Sequence, residues 1–203
     1  YHLDTKTGSL TLYKKTKDKN DIIYAGANKV AGRNKSFKGN GHSLTISKGV
    51  LNGKTIGKDI SKHGFSTRGG NQKDGLRAAK FISFESHKEL SGIGFVSNNG
   101  NELDVFGWSF NDYNKSHSDW PDRSTNENNI CFSFHTHPGS IDGQGGYGNP
   151  SKDYDYSHAR QMRQLFNIHQ NYIISRHDGV TQYNEWNVIP NTISILPASF
   201  QGL

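Results

Sequence analysis

Side-chain class alternates residue by residue from position 130 to 137. Ile130, Phe132 and Phe134 share one parity, while Cys131, Ser133, His135 and His137 share the other. Period-two alternation predicts a half-buried strand on which residues two apart point the same way. His135 and His137 would therefore present two imidazoles on one face. Pro138 follows and cannot donate to a ladder, so pairing should stop where the two rings emerge. Cys131, within this apolar run, is expected to be a small buried hydrophobe.

Elsewhere the period changes. Leu76, Ala79 and Ile82, with Lys80 and Phe84, recur at helical spacing and predict a helix over 73–87. Residues 89–96 read as a small-and-apolar strand, Asn98-Asn99-Gly100-Asn101 as a hairpin turn, and 102–108 as the returning partner. The polar stretch 111–129 predicts a long loop. Ala159, Met162, Leu165 and Phe166 give a second helix beginning near Asp155, and strands at 172–175 and 180–183 flank a turn at His177-Asp178-Gly179. The tail from Asn187, with Pro190 and Pro197, is expected to pack across the surface. Ahead of these, short strand candidates at 1–3, 10–13, 22–24 and 43–46 stand among Gly- and Lys-rich stretches. The pattern predicts an α+β protein with a basic, hairpin-rich N-terminal segment (1–72) and a larger domain (73–203).

Composition narrows the classes. A chain of 203 residues suffices for one large domain, or one with an appended module. Hydrophobic content of 32% is low, but 11% aromatic residues supply large buried areas each. No apolar run approaches the ~18 residues of a membrane span and no signal-peptide pattern opens the chain, so no membrane partner is expected. The Tyr1 start reads as a portion of a longer polypeptide. One cysteine excludes an internal disulfide. Charge is uneven: 18 Lys+Arg against 6 Asp+Glu through Lys88, then 6 against 12. The basic half can be read as a polyanion-binding surface. It can also be read as lysines that keep the N-terminal hairpins in solution, and their scatter favours this second reading.

Two neutral imidazoles at a strand end can grip a divalent metal, and one carboxylate would complete a catalytic site. Asp155 or Asp153 can supply it, although either, like Ser151, also suits a helix N-cap. The Gly-rich run 139–149 lacks the Lys-Ser/Thr ending of a phosphate loop. It reads as a mobile flap that grips extended substrate, or as a plain surface connection. His158 is close enough in sequence to line a cleft. His2, His42, His63, His87, His117, His169 and His177 lack ligand-like neighbours and read as surface residues.

Together, Glu89-Leu90-Ser91-Gly92 after the first helix, His135-Thr136-His137-Pro138, and Ser151 with an Asp at a helix start resemble the motif of the JAMM (JAB1/MPN/Mov34) metalloprotease family. That motif is Glu-x-x-Gly, His-x-His-Pro and Ser-x-x-Asp; the resemblance spans 73–185, and the order of elements agrees. It departs at Tyr154, with Asp155 one residue late and Asp153 one early. Asp155 is favoured because Ala159, four residues on, is in register with the apolar face of the following helix. The resemblance implies a JAMM/MPN-type curved mixed sheet flanked by helices. It implies zinc held by His135, His137 and Asp155 (second choice Asp153), with Glu89 as proton acceptor, Glu85 as its competitor, and Ser151 as donor to an oxyanion. The implied reaction is hydrolysis of a peptide or isopeptide bond in a peptide or protein substrate. Two alternatives stay open: a metal-free interaction module, with Tyr154 marking a lost ligand, and a metal-dependent hydrolase of another substrate such as nucleic acid, since a DNA-repair protein group shares His-x-His-Pro.

Residues 1–25 are similar to the lead-in of C-terminal toxin modules of Rhs-type bacterial proteins, some of which carry JAB-like domains. This second resemblance implies an exported effector acting in a target cell, with a cognate immunity protein as partner.

Overall fold

A computed structural model describes residues 1–12, 15–26, 42–51, 64–67, 71–97, 100–108, 129–190 and 196–203. Asn98-Asn99 and the expected long loop, up to residue 128, lie outside the described residues. Four strands, β1 (His2–Asp4), β2 (Leu10–Thr11), β3 (Asn20–Gly26) and β4 (Ser43–Ser47), form a mixed sheet ordered β2-β1-β3-β4. Seven more follow: β5 (Phe65–Thr67), β6 (Leu90–Ser97), β7 (Gly100–Trp108), β8 (Ile130–His137), β9 (Asn171–Ser175), β10 (Gly179–Tyr183) and β11 (Val188–Ile189). They form a second sheet ordered β11-β10-β9-β8-β6-β7-β5. Helix α1 (Gln72–Ser86) precedes β6, and α2 (Asp155–Phe166) connects β8 to β9. The fold is α+β.

Strands β8 and β9 are parallel, and every other neighbouring pair in the larger sheet is antiparallel. A parallel pair needs a crossover, which α2 supplies. Alternation then assigns the two faces. Phe132, Phe134, Tyr172 and Ile174 enter the main core with Leu76, Ala79 and Ile82 of α1. Ile93 and Phe95 pack on Met162, and Ile173 and Tyr183 on Ala159, so α2 covers the opposite face. Gly94 lies beneath the Phe132 ring, where an added Cβ would come within 2.1 Å of Cζ.

Three expectations change. Cys131 is exposed rather than buried. The β6–β8 register shifts between Gly94 (opposite Phe132) and Phe95 (opposite Ile130), so Cys131 is the unpaired residue of a β-bulge. The bulge also turns Ile130 toward the α2 face, against Phe95 and Met162. The tail does not merely cross the surface: Phe200 is 1% exposed, meets the Phe132 ring edge-on and lies tilted over Tyr172. Finally, described residues of the N-terminal segment join the main core: Leu3, Ile23, Ile46 and Val50 lie in it, and β5 forms an edge of the larger sheet. Strand β5 carries only three residues between glycines, too short a pattern to read from sequence.

Candidate metal centre

Helix α1 ends at Ser86, where His87 takes the left-handed conformation (φ 54°) and its amide returns to the Ser83 carbonyl. This tight stop sends the chain straight into β6 and leaves Glu89 buried, 4% exposed, between helix and strand. Ser91, two residues on, lies opposite His135 in the β6–β8 ladder. His135 and His137 leave β8 on one face, as the alternation predicts. Their Nε2 atoms are 2.9 Å apart.

Both carboxylates converge on those nitrogens. Asp155, at the first position of α2, places Oδ1 3.3 Å from His135 Nε2 and Oδ2 3.9 Å from His137 Nε2. Glu89 Oε1 lies 3.9 Å from His135 Nε2 and 3.7 Å from His137 Nε2. Asp153 is exposed on the turn before the helix. Glu85 faces away and contacts His42 at 3.0 Å. Ser151 and Asp155 grip each other: the Ser151 amide donates to Asp155 Oδ2 (2.6 Å) and the Asp155 amide to Ser151 Oγ (3.1 Å). This reciprocal pairing is a capping-box arrangement with one extra residue, which absorbs Tyr154 and leaves that side chain 75% exposed.

The donor set suits a cation. His137 Nδ1 faces the Tyr147 carbonyl at 2.7 Å. A carbonyl only accepts, so that nitrogen carries the proton and the Nε2 lone pair points into the centre. His135 Nδ1 faces the Tyr183 hydroxyl at 3.5 Å. Burial holds His135 far below its ordinary pKa, at about 3, against the opposing pull of Asp155. It is therefore neutral, the form that binds metal. Burial works against ionisation of Asp155, yet His135, the Ser151 amide, His137 and the Ser151 hydroxyl together hold its carboxyl below the usual value. Two donors on a tetrahedral zinc stand roughly 3.3 Å apart, and the separations of 2.9, 3.3, 3.7 and 3.9 Å bracket that value. Glu89, His135 and His137, whose ligand atoms all lie within 4.8 Å of one another, could hold a metal ion. The His137 side chain is 19% exposed against 8% for His135 and 6% for Glu89, so the centre opens to solvent beside His137.

The glycine-rich segment at the mouth is hydrogen-bonded to its neighbours. Gly148 donates to Asp178 (2.6 Å), the His177 amide to the Gly146 carbonyl (3.1 Å), and His87 Nδ1 meets the Gly139 carbonyl (3.0 Å). Gly139, Gly143, Gly145 and Gly146 all have positive φ, the backbone that such a tight loop demands. Sequence reasoning missed Tyr183, Thr136 and the Tyr147 carbonyl. A carbonyl leaves no trace in residue type, whereas a lone hydroxyl between two histidines was a readable signal. His2, read as a surface residue, is buried at 3%, because β1 lies inside the smaller sheet. His158 is half-buried beside Asp155, with its pKa lowered by burial. His63 and His117 lie outside the described residues.

No protein-family model, no curated protein and no solved structure matches this chain.

Proposed function

We propose that the chain is a JAMM-like, zinc-dependent amide hydrolase acting on peptide or isopeptide bonds. One observation carries this reading: two imidazoles from the end of one strand and two carboxylates from separate elements converge on a single solvent-facing point. His135, His137 and Asp155 would hold the ion, since Asp155 makes the closest carboxylate approach, at 3.3 Å. When bound, zinc supplies a Lewis acid that polarises a carbonyl and eases loss of a proton from water. Glu89, the carboxylate left over, accepts that proton and returns it to the leaving amine. The Ser151 hydroxyl oxygen accepts from the Asp155 amide, and its proton, which supports the Asp155 carboxylate at rest, would turn to a developing oxyanion. The N-terminal resemblance extends the proposal to an effector whose target is a cellular protein.

The test is zinc analysis of the purified chain, followed by cleavage of a peptide library by wild-type and Glu89→Gln protein. Stoichiometric zinc is expected in both, with cleavage at least a hundredfold slower in the variant. Equal rates would remove Glu89 from the chemistry, and absence of zinc would leave the metal-free interaction module.

A further inference from the structure

Thr136 separates the two histidines and points to the opposite side of β8, into the α1 layer. It is completely buried, as is Ser83 of α1. Thr136 Oγ1 lies 2.7 Å from Ser83 Oγ, accepts from the Leu90 amide at 2.8 Å, and Ser83 Oγ donates to the Lys88 carbonyl at 2.6 Å. The Thr136 hydroxyl also lies 3.5 Å from the Leu90 carbonyl, a longer and weaker contact, so the three short contacts set the proton directions. The Lys88 carbonyl can only accept, so the Ser83 proton is committed to it. Thr136 must then donate to Ser83, and its oxygen receives the Leu90 N–H. Each hydroxyl donates once and accepts once.

The relay runs Leu90 N–H, Thr136, Ser83, Lys88 C=O. Its two ends belong to the peptide groups on either side of Glu89. Both planes that set the direction of the Glu89 side chain are therefore fastened to one hydroxyl pair. One member of that pair is the residue between the imidazoles. The strand that delivers His135 and His137 thus also sets the position of Glu89 relative to them.

We infer that Thr136 and Ser83 are positioning residues that lock the Glu89 carboxylate against the two histidines. This inference rests on the assignment of Glu89 to the metal centre made above. Glu89, 3.7–3.9 Å from both imidazoles, would add negative charge beside the ion and raise zinc affinity without being a ligand. Its loss lowers affinity but leaves a saturated chain with one ion, and the relay acts through Glu89 and nowhere else.

The experiment is a double-mutant cycle between Thr136→Val and Glu89→Gln, read by zinc affinity in competition with a chromophoric chelator and, separately, by hydrolysis rate. Removing a partner that orients a metal-site group weakens affinity or activity by roughly 10–100-fold. Thr136→Val is expected to weaken zinc binding by about tenfold, and Thr136→Ser to restore it. The double variant should be no weaker than Glu89→Gln alone, because residues acting as one unit are not additive. Ser83→Ala removes the far end of the relay and should reproduce the loss, which covers the case of a Thr136→Val chain that does not fold. Additive losses overturn the inference, as does wild-type affinity in folded Thr136→Val and Ser83→Ala. A wild type that binds zinc without hydrolysing amides sinks the hydrolase proposal, while the zinc cycle still decides the relay. A wild type that binds no zinc overturns both.

Discussion

At the scale of single residues, what distinguishes the site is the order in which its groups are fastened. His137 is orientated by a backbone carbonyl, Asp155 by the amide and hydroxyl of Ser151, and Glu89 by the peptide groups on either side of it. The two candidate aspartates separate cleanly under mutation. Asp155→Asn should weaken zinc binding at least tenfold, while Asp153→Asn, whose side chain points to solvent, should leave it unchanged. Chelator competition on the two variants measures this, and equal losses would break the choice between them. Sequence carried much of the site, because strand parity alone aligned the histidines. It favoured residue 155 over 153 through the register of Ala159, but how Ser151 folds back on Asp155 left no trace in the spacing. Cys131 shows the other limit: its place in an apolar run predicted burial, but a one-residue bulge removed it from the ladder.

Among the elements, α1 is the hub. One face packs on the larger sheet, and its N-terminal turn reaches the smaller one through Asp74. The Asp74 carboxylate accepts from the Ser47 amide (2.7 Å) and hydroxyl (2.6 Å) of β4, and pairs with Arg77 at 2.7 Å. Burial opposes its ionisation, but the Ser47 and Arg77 contacts prevail and hold the carboxyl below its ordinary value. The folded-state pKa is thus depressed. The linked stability is complete above the unfolded carboxyl value of 3.8 and is lost as acidification passes the lower folded value. Asp74→Asn should cost about 1.5 kcal/mol near neutrality, the scale of hydrogen bonds to a charged group. Urea titrations at roughly pH 6 and pH 3 should find the gap between variant and wild type narrowing in acid. A constant gap would contradict the assignment. Helix spacing made α1 and α2 legible before any coordinates, whereas the pairing of Asp74 with a strand at residue 47 has no local signature.

For the molecule as a whole, the basic front of the chain is not an appendage. Leu3, Ile23, Ile46 and Val50 share a core with α1 and with Phe132, Phe134 and Phe200. Thermal unfolding followed by far- and near-ultraviolet circular dichroism should therefore give one coincident transition. Two separated transitions would mean that residues 1–51 unfold independently. The alternation of periods correctly announced a mixed fold, but neither period nor composition reports which side chains of the N-terminal segment meet the core.

The β8–β9 pair has a consequence for the life history of the chain. Parallel partners join only after the whole α2 crossover has been threaded, and long-range pairing of this kind forms slowly. Asp155 rides on that crossover and Tyr183 on the hairpin beyond it, so the complete centre requires both to be docked on β8. The centre is thus assembled by long-range pairing of the sheet, and an unfolded chain lacks it.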